Sequence, residues 1–173
     1  MAPDRPFIPL NLAVLTVSDT RSAANDASGD LLAALVGASG HHLWDRALVP
    51  DNRYRIRAQV SAWIAAEEVQ VILTTGGTGV TGRDGTPEAI EPLFDKRLDG
   101  FGECFRALSF EEIGTSSMQS RAVAGVANGT YLFSVPGSPG ACRLAFERLI
   151  APQLDARTRP CNLADLIPRL SES

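Results

Sequence analysis

The run Thr75-Gly76-Gly77-Thr78-Gly79-Val80-Thr81-Gly82-Arg83-Asp84 carries the residue types best suited to chemistry in this chain. A segment with glycines at 76, 77, 79 and 82 exposes successive backbone N–H groups, a setting that suits an anion and most often a phosphate. Asp84 has the wrong charge for a phosphate unless a cation sits between them, and Mg²⁺ carrying a nucleotide meets that need. Asp51, in the turn Pro50-Asp51-Asn52, is a second carboxylate expected at the same sheet edge. Magnesium is commonly held by one or two carboxylates together with substrate phosphates, so the pair is the right size. Asp19 is a third acid at a strand end.

Each of these features also has a plainer explanation. Asp51 and Asp84 both precede predicted helices, where Asp is a favoured cap, and Asp19 can anchor its own loop through an Asx-turn. Glycine by itself can mark nothing more than a positive φ. Gly77, Gly79 and Gly82 also satisfy the G-x-G-x-x-G spacing of dinucleotide-binding proteins, which would make the chain a nicotinamide oxidoreductase. Two points oppose that reading: Pro87 places the helix start too late, and the run follows about the third strand rather than the first. A Walker A loop is excluded because no Gly-Lys-Ser/Thr follows. Arg83 has two readings, a phosphate contact or an ion pair with a neighbouring acid.

The elements that position these residues alternate in type. Residues 1–10 read as a loose, flexible, proline-containing arm. Leu12 to Val17 is an apolar strand ending at Ser18-Asp19-Thr20. Ser28 or Asp30 can cap a helix through Leu31, Leu32, Leu35 and Val36, stopped by Gly37 or Gly40. His42 to Val49 is a mixed strand, and Asp51 can cap a helix whose apolar face holds Ile56, Val60, Trp63 and Ile64. Val69 to Thr74 is the next strand, and Thr86-Pro87-Glu88 reads as a helix start with a hydroxyl cap and proline at the first helical position. Phe101 to Ile113 repeats at a helical period. Ala122 to Ala127 and Thr130 to Val135 flank Asn128-Gly129, a strong signal for a type I′ hairpin. Pro136-Gly137-Ser138-Pro139-Gly140 is a rigid loop before a helix over Ala141 to Leu154. The pattern implies an α/β fold with a largely parallel sheet and one antiparallel hairpin near its edge. The loops at Ser18, Thr75 and Pro136 all follow strands, and carboxyl-end loops are where ligands bind in such sheets. Trp44 and Trp63 are expected in core or subunit packing.

Composition narrows the function classes. A chain of 173 residues suits one domain, here 11–154 between the arm and a tail at 155–173. Sixteen basic against twenty acidic residues, a net charge of −4, argue against non-specific nucleic-acid binding. No apolar run is long enough to span a bilayer, and the N-terminus lacks a signal-peptide core, so no membrane role and a cytoplasmic location are expected. Cys104, Cys142 and Cys161 are far apart and odd in number, and His41 and His42 are adjacent, which supports neither a disulfide framework nor a zinc site.

Taken together the motifs resemble the molybdenum cofactor biosynthesis proteins of the molybdopterin-binding fold. The matching blocks, in order, are Thr16-Val17-Ser18-Asp19, Leu48-Val49-Pro50-Asp51, Thr74-Thr75-Gly76-Gly77-Thr78-Gly79, Arg83-Asp84-Gly85-Thr86-Pro87-Glu88, Gly100-Phe101-Gly102-Glu103, Ser120-Arg121 and Pro136-Gly137-Ser138-Pro139. The segment Ala156-Arg157-Thr158-Arg159-Pro160-Cys161-Asn162 resembles the B-type branch of that family. The resemblance implies a three-layer α/β/α sandwich and a homo-oligomer built from trimers, either a trimer or a hexamer. The 155–173 tail is too short to form a domain of its own, so it and its Arg157 and Arg159 are expected at a subunit interface. The resemblance also implies a reaction: AMP passes from Mg-ATP to the terminal phosphate of molybdopterin. By the same resemblance Asp51 and Asp84 are the catalytic, Mg²⁺-holding acids. Thr75, Gly76, Gly77, Thr78 and Gly79 hold the pterin phosphate, and Ser18, Asp19, Ser120, Pro136, Gly137, Ser138 and Pro139 line the rest of the substrate pocket. Other proteins of the pathway are possible partners. Asn52 and Gly140 depart from the family pattern. The rival reading within the family is an oligomer that binds molybdopterin without turning it over.

Overall fold

The computed structural model describes residues 5–172. Six strands form one sheet in the order β2-β1-β3-β6-β5-β4. β1 (Asn11–Val17), β2 (His42–Val49), β3 (Val71–Thr75) and β6 (Thr130–Val135) run parallel to one another. β5 (Val123–Ala127) and the two-residue β4 (Lys96–Arg97) complete an antiparallel edge. The hairpin between β5 and β6 turns at Asn128 and Gly129, whose φ values of 46° and 79° match the type I′ expectation.

Alternation along the central strands explains the layers, because successive side chains of a strand point to opposite faces. Leu12 and Val14 of β1, Val71 and Leu73 of β3, and Tyr131 and Phe133 of β6 pack on one face with Leu32, Val36, Phe105, Phe146 and Ile150. Those partners come from α1 (Ala27–Ala38), α4 (Asp99–Ile113) and the C-terminal helical segment. The last begins as α5 (Pro139–Ala145), passes through a π-helical turn at Phe146–Ile150, and ends as α6 (Ala151–Leu154). Ala13, Leu15, Ile72 and Leu132 face the other way, onto Ile56, Val60 and Trp63 of α2 (Arg53–Ile64) and Ala89 and Ile90 of α3 (Thr86–Ile90). The three-layer arrangement is the one the resemblance implies.

Several expected details differ. The cap of α1 is Asp26, whose side chain accepts from Gly29 N–H, and not Ser28 or Asp30. Ser28 is instead turned toward the 136–139 loop, where its hydroxyl donates to the Gly137 carbonyl. Asn52 caps α2, accepting from Tyr54 and Arg55, which leaves the Asp51 side chain free of that task. Thr86 does not cap α3, since its hydroxyl donates to the Gly76 carbonyl at 2.8 Å and the cap residue is Gly85. Trp63 is buried and donates from Nε1 to Asp45, whereas Trp44 lies exposed on edge strand β2.

Residues 5–10 of the arm are pinned: Phe7 packs against the His41 ring, and Leu10 N–H donates to His41 Nδ1. The tail folds back onto its own domain, with Ala156 and Ala164 in the core and the Tyr131 hydroxyl donating to the Leu163 carbonyl. Arg157 pairs with Asp155 and lies over the Phe7 ring. All three cysteines are free thiols. No helix among the described residues is long and apolar enough to cross a membrane.

Beneath the carboxyl ends of the strands, Asp26 is almost wholly buried and accepts from the Thr16 hydroxyl at 2.6 Å and from Arg46 at 2.8 Å. Burial pushes its carboxyl up, but the bonds from Thr16, Arg46 and Gly29 outweigh it and hold the group below the ordinary 3.8. A carboxylate depressed in the folded state stabilises it above the ordinary value, and that stabilisation fades as pH falls through the depressed value. Asp26→Ala is therefore expected to lose about 1–3 kcal/mol at pH 7, through the lost cap and the unsatisfied partners. Urea unfolding at pH 7 and pH 3 checks this, and the gap from wild type should narrow at the lower pH.

Candidate functional site

The parallel strands β1, β3 and β6 end together, and their three loops meet backbone to backbone. Gly76, at φ +100°, lies so close to β1 that a Cβ there would stand 2.2 Å from the Val17 carbonyl oxygen. Only glycine satisfies both the conformation and the contact. On the other side a Cβ on Gly137 would meet Gly76 Cα at 3.2 Å. The 136–139 loop is fixed from below, since the Gly137 carbonyl accepts from Arg21 at 2.8 Å and from the Ser28 hydroxyl at 2.7 Å.

A cavity of about 390 Å³ opens above this junction. Of the residues expected at the site, it brings together Gly76, Gly77, Thr78, Gly79, Asp84, Ser120, Pro136, Gly137 and Ser138. Its far wall is α4 and the turn after it, through Phe105, Ser109, Ile113 and Ser117, which sequence reasoning did not place there. Thr75, Pro139, Ser18, Asp19 and Asp51 do not line this cavity. Thr75 is fully buried, and its hydroxyl donates to the Pro136 carbonyl, so its side chain braces the loop and cannot touch a ligand. Pro139 opens α5, with the Ser138 hydroxyl as its cap. The Ser18 hydroxyl accepts from the N–H groups of Thr20 and Arg21 and so shapes its own turn.

Asp19 and Asp51 follow β1 and β2, whereas Asp84 belongs to the glycine loop itself. Asp19 Oδ1 accepts from Asp51 N–H at 3.1 Å, and Asp19 Oδ2 pairs with Arg83 at 2.7 Å, which selects the ion-pair alternative for that arginine. The glycines let the carboxylates approach the backbone. A Cβ on Gly77 would stand 2.8 Å from Asp51 Oδ2, and one on Gly79 would stand 2.7 Å from Asp84 Oδ2. Helix α3 spans only five residues, so the field from its N-terminus is weak. Because α3 opens at Thr86, well past Gly82, the glycine run does not form a helix's first turn and the dinucleotide spacing is coincidental.

The two key carboxylates differ in their surroundings. Asp84 Oδ2 accepts from the Thr81 hydroxyl at 2.6 Å and the Thr81 N–H at 2.8 Å, and these bonds hold its carboxyl below the ordinary range. Asp51 is pushed above the ordinary range by burial, opposed by the Gly85 amide and Arg83, with the charges of Asp19 and Asp84 adding to the rise. Its Oδ1 is buried and has no hydrogen-bond partner among the described residues. Among the described residues no group of three or more His, Cys, Asp or Glu side chains is arranged to hold a metal ion.

Arg121 is the site residue that sequence reasoning quoted but gave no role. Its guanidinium donates to the Gly79 carbonyl at 2.8 Å and the Asp84 carbonyl at 3.0 Å, and also pairs with Glu88. Thr81 was likewise missed, though a threonine three residues before an aspartate in a glycine loop is the available signal.

Residues 13–156 match the family described as a probable molybdopterin binding domain. Molybdenum cofactor biosynthesis protein B of Escherichia coli K12 is 63% identical over 156 residues, covering 90% of this chain and 92% of that one. A crystal structure of a molybdenum cofactor biosynthesis protein B superposes with a TM-score of 0.84 at 44% identity, over 87% of this chain and 94% of that chain. The tungsten cofactor synthesizing protein MoaB from Pyrococcus furiosus superposes with a TM-score of 0.74 at 38% identity, over 82% of this chain and 90% of its own. The chain belongs to the molybdopterin-binding family of molybdenum cofactor biosynthesis proteins. These relatives carry the B designation, the branch that residues 156–162 resemble.

The unpartnered Asp51 oxygen generates a stability prediction. A carboxyl raised in the folded state opposes folding once it ionises, so the penalty is absent below the ordinary 3.8 and grows as pH rises through the raised value. Asp51→Asn is therefore expected to raise the melting temperature at pH 7, with the gain disappearing near pH 3. Differential scanning calorimetry across that range checks both sign and window.

Proposed function

We propose that this chain acts in molybdenum cofactor biosynthesis as a molybdopterin adenylyltransferase, passing AMP from Mg-ATP to the terminal phosphate of molybdopterin. The observation that carries the reading is Asp51 Oδ1, a buried carboxylate oxygen with no partner beside a glycine loop and a second carboxylate. A buried acceptor left bare costs about 1–3 kcal/mol, and a ligand that fills the position removes that cost. Membership of the molybdopterin-binding family supports the pathway and the pterin substrate.

The donor set fits Mg²⁺: Asp51 and Asp84 would hold it, and phosphate oxygens would complete its shell. When bound, Mg²⁺ supplies charge neutralisation between two polyanions that otherwise repel each other. The chain's own part is alignment. Residues 76–79 line the cavity together with Ser120 and Ser138; the Gly76 N–H donates to the Val135 carbonyl and the Gly79 amide serves the Asp84 carboxylate, which leaves the Gly77 and Thr78 amides as the anion-binding donors. Asp84, already hydrogen-bonded through Oδ2 and held ionised by Thr81, presents a fixed negative charge at the cavity rim.

No general base is required, because the attacking group is already an anionic phosphate oxygen. That oxygen forms a bond to the α-phosphorus of ATP, the α–β bridging P–O bond breaks, and pyrophosphate leaves with the electron pair. Positioning and electrostatic stabilisation are therefore the main levers.

A turnover assay with molybdopterin and Mg-ATP, reading out adenylylated molybdopterin, tests the proposal. Asp84→Asn is expected to lower the rate by about 10²-fold or more, the scale of losing one preorganised electrostatic group, with the melting temperature within a few degrees of wild type. Bound pterin without product from the wild-type protein would instead support the non-catalytic binding reading.

A further inference from the structure

We infer that Arg121 is a positioning residue that sets where the Asp84 carboxylate stands, by clamping both ends of the 79–84 loop from outside it. The inference rests on the reading of Asp84 as a ligand of the metal–nucleotide complex. Among the described residues, the hydrogen bonds that tie the Gly79 and Asp84 carbonyls to the rest of the fold both come from Arg121. Its Nε reaches Gly79 at 2.8 Å and its Nη2 reaches Asp84 at 3.0 Å, so one planar group spans the loop's mouth. Nη1 points away to Glu88 on α3, which fixes the plane of the fork. The backbone of Arg121 is anchored too, since its N–H donates to the Thr78 carbonyl at 3.2 Å immediately before β5.

Besides Arg121, the loop is tied to the rest of the fold by the ion pair of the exposed Arg83 with Asp19. Its other bonds at this end are internal, from Asp84 N–H to the Thr81 carbonyl and from Thr81 to the Asp84 carboxylate. Val80 at its tip is 67% exposed, and Arg83 turns away to Asp19. Thr81 therefore orients the Asp84 carboxylate within the loop, while Arg121 fixes the loop relative to the cavity. A guanidinium is required because two carbonyls and a carboxylate must be met in one plane. A lysine ammonium is a point donor on a flexible stem and cannot present that fork.

The test compares wild type, Arg121→Ala, Arg121→Lys, Asp84→Asn and the Arg121→Ala/Asp84→Asn double variant, each confirmed folded by its thermal transition. Two readouts are taken: amide hydrogen exchange over residues 79–84, and binding of Mn²⁺ in the presence of ATP, followed by electron paramagnetic resonance. Arg121→Ala is expected to speed exchange across the loop and to weaken Mn²⁺ binding about tenfold, as for loss of a group that orients a metal ligand. Arg121→Lys should not restore either property. In the Asp84→Asn background, Arg121→Ala should cause no further loss, because residues acting through one another are not additive. Unchanged exchange over 79–84 in Arg121→Ala overturns the inference, as do losses in Mn²⁺ binding that multiply in the double variant. Failure of wild type to bind Mn²⁺ with ATP would count against the metal–nucleotide reading alone, and loop exchange would still decide whether Arg121 is the clamp.

Discussion

Val17, Gly76 and Gly137 approach one another with no side chain between them, and the site depends on that contact. Three parallel strands, β1, β3 and β6, lie side by side and end at one edge of the sheet. Their loops could diverge into solvent or close over one another, and a Cβ at position 76 would force them apart. Close packing ties the Gly76 N–H to the Val135 carbonyl and leaves residues 76–79 lining one shared cavity. The buried group below, Asp26 with Thr16 and Arg46, and Arg21 with the Gly137 carbonyl, holds β1, α1 and the 136–139 loop in register beneath that edge.

The same closeness shapes the electrostatics. Carboxylates at 51 and 84 are brought against backbone that only glycine leaves open, at Gly77 and Gly79. The charge of Asp84 adds to the rise of the Asp51 carboxyl, yet the two acids are not equivalent. Asp84 is stabilised where it stands by Thr81, whereas Asp51 keeps one buried oxygen unmatched and is pushed toward protonation by its burial. Under the proposed function, a cation arriving with its own phosphates would relieve Asp51 and the repulsion between the acids together. Active sites hold such strain as a part of function, at the expense of stability.

Much of this was legible before any coordinates. Hydrophobic alternation and helical periodicity mark β1, β3, β6, α2 and α4, and Asn128-Gly129 announces its hairpin, because these are local effects of pleat, pitch and turn sterics. The glycine run and the two aspartates stand out by residue type and spacing, and the ordered motifs from Thr16 to Pro139 point to the family that residues 13–156 match. The capping assignments were less legible. Asp26, Ser28, Asp51, Asn52 and Thr86 are all capable caps by type, and chemistry alone does not rank neighbours that share the same capacity.

What the chain alone determined, then, was its elements, its parallel α/β order and the residue types of its site, since each follows from interactions within a few residues. What only the tertiary structure decided was which of those groups meet. Arg121 reaches the Gly79 and Asp84 carbonyls, Arg21 reaches Gly137, and Thr75 turns from an expected contact into a brace, all across long separations in sequence. The unmatched oxygen of Asp51 belongs to the same class. Burial and the absence of a partner are properties of everything packed around a side chain, and no local pattern encodes them.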